Sequence, residues 1–272
     1  LIDRFKKVIC DHLTNAIPSN ISLGDKIGRS DFHSAYVRNL SAVLAYHPYE
    51  PKQFADELIN ALVGGLSSWE KTLIPILHIL TVSCFEIPQS IQRYLTPILQ
   101  HIQKRITSLY AIPSILEFFL ALRDSPNVIS NLTIQEIKRV FAIIFKLIEN
   151  SVDLKIRSQL ESPDDEVEAS KSPTHMYLDY EVDTSPSTES FLIGESLTEF
   201  FQYQSFRALS CWFLRLNHNC KLELMPFIMK NMVNLSSIEC LKYDATAYMD
   251  YFSRSRFGPQ KNGISVDDQI NT

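Results

Sequence analysis

Glycine is scarce in this chain, with 7 among 272 residues. That scarcity works against a turn-rich β protein and against the glycine-rich loops that cradle phosphates. No GxGxxG, HExxH or CxxC pattern and no Walker-type lysine loop occurs. Five cysteines (Cys10, Cys84, Cys211, Cys220, Cys240) are an odd number without regular spacing, which argues against a disulfide framework and for reduced, mostly buried thiols of an intracellular protein. The longest uncharged stretch, Thr72–Phe85, has 14 residues and contains Pro75 and His78, too little for a membrane span. No secretory leader is recognisable, so the Asn-x-Ser/Thr triplets at Asn20, Asn39, Asn131 and Asn234 read as chance matches. Net charge is −5, and no basic field advertises nucleic-acid binding.

What the chain does have is helical periodicity. Apolar residues make up 45% and charged residues 21%, the composition of a globular core. Leu1–Ala16 carries Ile2, Phe5, Val8, Ile9 and Leu13 at helical spacing. Leu1 is mid-helix in character and no initiator Met precedes it, which implies a piece of a longer protein. Ser30 can cap a helix with Phe32, Tyr36, Val37, Leu40 and Leu44 inward, ending near His47–Pro48. Pro51 fits the first turn of the next helix, with Phe54, Leu58, Ile59 and Leu62 inward and Gly64–Gly65 as its stop. Ser67 with Glu70, and Thr133 with Glu136, have the spacing of capping boxes. Pro88 and Pro113 open two more helices, to about Ser108 and to Arg123. After Thr133 comes the cleanest stripe: Ile134, Ile137, Val140, Phe141, Ile144, Phe145 and Ile148.

Three further helices are expected over Glu195–Leu216, Lys221–Leu235 and Ile238–Ser255, and no credible strand pair occurs. The fold class is all-α: an α-solenoid of HEAT/armadillo-like helix pairs in units of roughly 40 residues. Leu73–Ile74–Pro75–Ile76–Leu77, Leu95–Thr96–Pro97–Ile98–Leu99 and Leu224–Met225–Pro226–Phe227–Ile228 share one proline pattern. Two readings fit it: a kink repeated in successive repeats, or three unrelated helix starts.

Charge divides the chain further. Glu161 to Glu195 holds ten acids and one base, Lys171, a net of −9 out of −5, so the remainder carries +4. The expected organisation is helical repeats over 1–160, an acidic flexible loop over 161–194, closing helical repeats over 195–257 and a disordered tail over 258–272. Ser162, Ser172 and Ser185 each precede proline and are possible sites for proline-directed kinases; a plain solvated linker accounts for the same composition.

No catalytic constellation emerges. Cys211, His218 and Cys220 lack a usual zinc spacing, and the expected arrangement is Cys211 in a core with His218–Asn219 in a turn. No cofactor or metal is implied. Glu117 reads as a buried acid or as the outward face of its helix, and Trp212 beside Arg215 as core filler or as an interface anchor. A helical enzyme would need a deep polar cavity lined by Glu117, His101 or Arg105.

Six stretches taken together resemble the tuberin family: Gln92–Ile106, Tyr110–Asp124, Val140–Ile144, Ala208–Leu216, Leu224–Met232 and Ala247–Arg254. They read QRYLTPILQHIQKRI, YAIPSILEFFLALRD, VFAII, ALSCWFLRL, LMPFIMKNM and AYMDYFSR. The similarity covers roughly 92–256, with 1–91 fitting less distinctly as preceding repeats. Tyr94, Leu95, Pro113, Leu116, Glu117, Phe118, Phe141, Trp212, Phe213, Pro226 and Phe227 match and read as structural. The resemblance implies a cytoplasmic scaffold segment of a GTPase-activating subunit that restrains Rheb and TOR signalling. Its implied partners are a hamartin-like subunit, a second copy of itself, and a Rheb-like GTPase through a separate C-terminal domain that supplies an asparagine. The chain is expected to end before that domain, so no residue here inherits the catalytic role. A generic HEAT/armadillo adaptor in trafficking or nuclear transport is the alternative.

Overall fold

The computed structural model describes residues 2–14, 29–51, 53–67, 70–108, 111–160 and 186–255. Among these, every regular element is helical: α1 (Ile2–Thr14), α2 (Arg29–Leu44), α3 (Gln53–Gly65), α4 (Glu70–Glu86), α5 (Pro88–Lys104), α6 (Ile112–Asp124), the one-turn α7 (Pro126–Ile129), α8 (Ile134–Leu160), α9 (Pro186–Arg215), α10 (His218–Ser236) and α11 (Lys242–Ser255). The chain divides into two compact units, Leu1–Ala208 and Leu209–Thr272, a division that falls within α9 rather than at the acidic segment.

Local chemistry sets the helix ends. Thr133 and Glu136 form the expected capping box: the Thr133 amide donates to Glu136 Oε2 at 2.9 Å and the Glu136 amide to Thr133 Oγ1 at 3.3 Å. Pro88 and Pro113 occupy first turns, where a missing N–H costs nothing. At the end of α3, Gly65 allows close approach to α4, since a Cβ there would meet Ile76 Cδ1 at 2.9 Å. The Ser67 hydroxyl bonds His101, and residues 68 and 69 of the expected Ser67–Glu70 box lie outside the described residues. Pro75, Pro97 and Pro226 all lie inside helices, so they are not helix starts. In each, the residue two before (Leu73, Leu95, Leu224) and two after (Leu77, Leu99, Ile228) is buried. The prolines themselves are half-buried or exposed, so the donor loss falls outside the core.

The first unit is solenoid-like. Along it α1 packs on α3 and α3 on α5, while α2 packs on α4 and α4 on α6. Two layers result, each helix lying against the helix two along. Polar links join two of these pairs, Lys71 Nζ to Asp31 Oδ1 at 2.7 Å and Ser90 Oγ to Asp56 Oδ1 at 2.7 Å, and two more tie α8 to α5 and the turn after it, Thr96 Oγ1 to Glu136 Oε1 at 2.9 Å and Asn150 Nδ2 to the Ile106 carbonyl at 2.8 Å. Their sequence separations, 40, 34, 40 and 44, are those of one expected repeat. The core is filled by the predicted stripes, including Leu58, Ile76, Leu99, Phe118, Phe141 and Ile148.

Two expectations change in this unit. In α1 the buried stripe is Lys6, Ile9, Cys10 and Leu13, whereas Phe5 and Val8 are half exposed at 49% and 50%. The i, i+3, i+4, i+7 spacing fits either stripe. The lysine-bearing one goes inward because α3 supplies a carboxylate, Glu57, and an aromatic face, Phe54, whose centroid lies 4.4 Å from Nζ. Asp3 on the same helix adds a second carboxylate at 3.3 Å. The expected loop over 161–194 is helix from Pro186 onward. Proline is tolerated in a first turn, where Pro186 stands. Residues 161–185, Ser162, Ser172 and Ser185 among them, and the tail over 258–272 lie outside the described residues.

In the second unit α10 packs against α11. Asn217 caps α10, accepting from the Cys220 amide at 2.8 Å, so His218–Asn219 form a helical first turn and not a loop. Trp212, Phe213 and Phe252 are buried, with the Phe213 and Phe252 rings edge to face at 4.8 Å. A 3₁₀ turn, Glu239–Leu241, precedes α11 where one continuous helix was predicted.

Phe118→Ala, Phe141→Ala and Trp212→Ala are each expected to cost about 3–5 kcal/mol in chemical denaturation, because each removes a fully buried ring. Phe227→Ala should cost distinctly less, since that ring is only half buried. At the α1–α3 contact the two partners should respond unequally. Lys6→Met is expected to stay within about 1 kcal/mol of wild type, replacing a buried charge by an apolar chain of similar length. Glu57→Leu should cost more, because it strips the α3 carboxylate from a lysine that stays buried. Equal losses for the two variants would contradict this account.

Candidate interaction surfaces and polar clusters

The residues marked by family resemblance do not converge. Leu95, Leu116, Phe118, Phe141, Trp212 and Phe213 are buried in the cores of their own units. Tyr94 and Phe227 are half buried, and Pro113, Glu117 and Pro226 are exposed. Glu117 thus lies on the outward face of α6. Trp212 is core, with no exposed surface to anchor a partner, while Arg215 is exposed at the end of α9.

The polar cavity required by a helical enzyme is not assembled from the predicted residues. His101 and Arg105 at the end of α5 engage the turn after α3: Ser67 Oγ lies 2.5 Å from His101 Nδ1, and Arg105 donates to the Ser67 carbonyl at 2.6 Å. Among the described residues no three His, Cys, Asp or Glu side chains gather as a metal site. The cysteines differ widely. Cys10 and Cys84 are buried, Cys211 and Cys220 half buried and Cys240 exposed, so the expectation of mostly buried thiols holds for two of the five. Burial pushes the Cys10 thiol up to about 11 and raises Cys84 further, leaving both unreactive.

Apolar surface is the stronger signal. Ile2, Phe5, Val8, Ala42, Val43 and Tyr46 line a groove of about 550 Å³ between α1 and α2, with Arg4 and Asn39 as its polar members. A second strip runs along α9, where Leu197, Phe200 and Tyr203 are exposed three residues apart. Helical periodicity cannot tell which of two adjacent stripes will be covered. Among the described residues no helix is long and apolar enough to cross a membrane.

Each of α1 and α2 also carries a histidine near their contact. His12 stacks on Tyr36 with centroids 5.3 Å apart, and the buried His33 is held below the ordinary imidazole range by burial and by His12. Depressed proton affinity means the unfolded chain binds the proton more tightly. Stability is therefore present above the ordinary value near 6.5 and is lost as pH falls below it toward the folded value. The melting temperature is expected to fall between pH 7 and pH 5.5, and His33→Gln should flatten that slope. An unchanged slope in the variant would assign it elsewhere.

The tuberin family model matches residues 1–152, more than half of the chain and including the N-terminal repeats where the resemblance is weakest to the eye. The tuberous sclerosis 2 protein homolog of Schizosaccharomyces pombe is 24% identical over 224 residues, which is 82% of this chain. The chain spans about 15% of that relative's length.

Proposed function

Since this chain belongs to the tuberin family, we propose that it is a helical scaffold segment of a GTPase-activating subunit, acting by holding protein partners rather than by chemistry. The observation that carries this reading is the family match across residues 1–152, laid over a two-layer array whose polar residues join helix to helix. Extended helical arrays offer long surfaces suited to protein partners. Exposed apolar residues on α1, α2 and α9 supply such surface here.

In this proposal the parent protein restrains TOR signalling in the cytoplasm by accelerating GTP hydrolysis on a Rheb-like GTPase. The catalytic asparagine belongs to a different domain. Stimulation of that kind needs a polar group delivered into the partner's nucleotide site, as arginine fingers are. Among the described residues, Arg93 pairs with Asp56, Arg105 holds the Ser67 carbonyl, and Arg139 lies within α8. A hamartin-like subunit and a second copy of the parent are the proposed partners.

A single-turnover GTPase assay with the purified chain and a Rheb-like GTPase tests the division of labour. Hydrolysis is expected to remain at its intrinsic rate while a hamartin-like subunit is retained by the immobilised chain. Stimulation of about tenfold or more would place catalysis in this segment and overturn the proposal.

A further inference from the structure

We propose that Ser67 is a phosphorylation site, and that its phosphate is received by His101 and Arg105 so as to fasten the α3–α4 turn to the end of α5. The residue is exposed in the turn that follows α3, where a kinase can reach it. Its hydroxyl already lies 2.5 Å from His101 Nδ1, and the Arg105 guanidinium is 2.6 Å from its carbonyl oxygen. Lys104 is exposed on the same turn of α5. Three basic side chains thus gather round one serine, one at its hydroxyl, one at its carbonyl and one nearby. A phosphate on that hydroxyl would bring three acceptor oxygens and nearly two negative charges to them.

The local field has the matching sign. His101 is held below the ordinary imidazole range first by burial and then by Lys104 and Arg105, both positive. A neutral His101 therefore meets the serine hydroxyl now, and a phosphate dianion would reverse the field and favour the imidazolium. Arg105 closes α5, its amide bonded back to the His101 and Ile102 carbonyls. Its guanidinium is therefore offered from a fixed helix end rather than from a loose loop. The sequence Ser67–Ser68–Trp69–Glu70 places an acid three residues after the acceptor, a context read by acidophilic kinases.

The chemistry is ordinary phosphoryl transfer from a nucleoside triphosphate. Ser67 Oγ forms a bond to the γ-phosphorus, the bond from that phosphorus to the β–γ bridging oxygen breaks, and a nucleoside diphosphate leaves. The hydroxyl proton goes to the base of the kinase. Ser67 and His101 are 34 residues apart, and Ser67 and Arg105 are 38 apart, so the modification would act on the α3–α5 contact of one layer. It would stiffen this contact, whereas phosphate in the acidic segment would add charge to charge.

The test is treatment of the full 272-residue chain with an acidophilic kinase and ATP, peptide mapping, and a phosphorus-31 NMR titration. Phosphate is expected at Ser67, with a second ionisation below the value near 6 of a free phosphoserine by about half a unit or more. The melting temperature is expected to rise on modification. Arg105→Ala and His101→Ala, each first shown to fold by its own unmodified melting curve, should restore the free-phosphoserine ionisation. Absence of phosphate at Ser67, or an ionisation equal to that of a free peptide, would overturn the proposal.

Discussion

Each of the helices α1 to α6 lies against the helix two along, so that its apolar stripe is covered by more than the neighbour that follows directly. The α3 stripe of Phe54, Leu58 and Leu62 is buried between α1 on one side and α5 on the other. The α4 stripe of Leu73, Ile76 and Leu80 is treated likewise by α2 and α6. This constraint sets the period of everything else. The polar links recur about one repeat apart because they decorate the same contacts, and they fix how far each helix slides along its partner. Asp56 shows this on one side chain: it holds Ser90 and Arg93, one turn apart on α5.

Much of this architecture is legible in the sequence, and the reasons for the rest are specific. The Thr133–Glu136 box, the prolines at 88 and 113 and the α8 stripe are local signals, and local physics decides them. What escapes is decided by partners distant in sequence. Lys6 reads as surface until Glu57 and Phe54 are placed beside it, and Phe5 and Val8 read as core until Lys6 takes their place. Ser67 has the spacing of a cap, yet His101, 34 residues away, competes for its hydroxyl. The start of α9 is hidden because acidic and Ser-Pro composition outweighs a short apolar run beginning at Phe191. Family resemblance is easiest to see where aromatic residues are dense, past residue 92, although the family model reaches from residue 1 and stops at 152.

The distribution of polar and apolar groups bears on what the array can carry. Several carboxylates of the first unit join one helix to another, as Asp31, Asp56, Glu57 and Glu136 do. Exposed apolar residues gather in the α1–α2 groove and along the α9 strip. An array with polar links between its helices and apolar patches on its surface is suited to carrying other proteins, which agrees with the role proposed from family membership.

The packing of each helix on the one two along is tested most directly by zero-length carbodiimide cross-linking of the intact chain, read by mass spectrometry. Lys71 and Asp31, 2.7 Å apart across α2 and α4, are expected to form a prominent intramolecular link at a separation of 40 residues. Links from Lys71 to Asp56 or Glu57 of the adjacent helix α3, with none to Asp31, would contradict the two-layer arrangement.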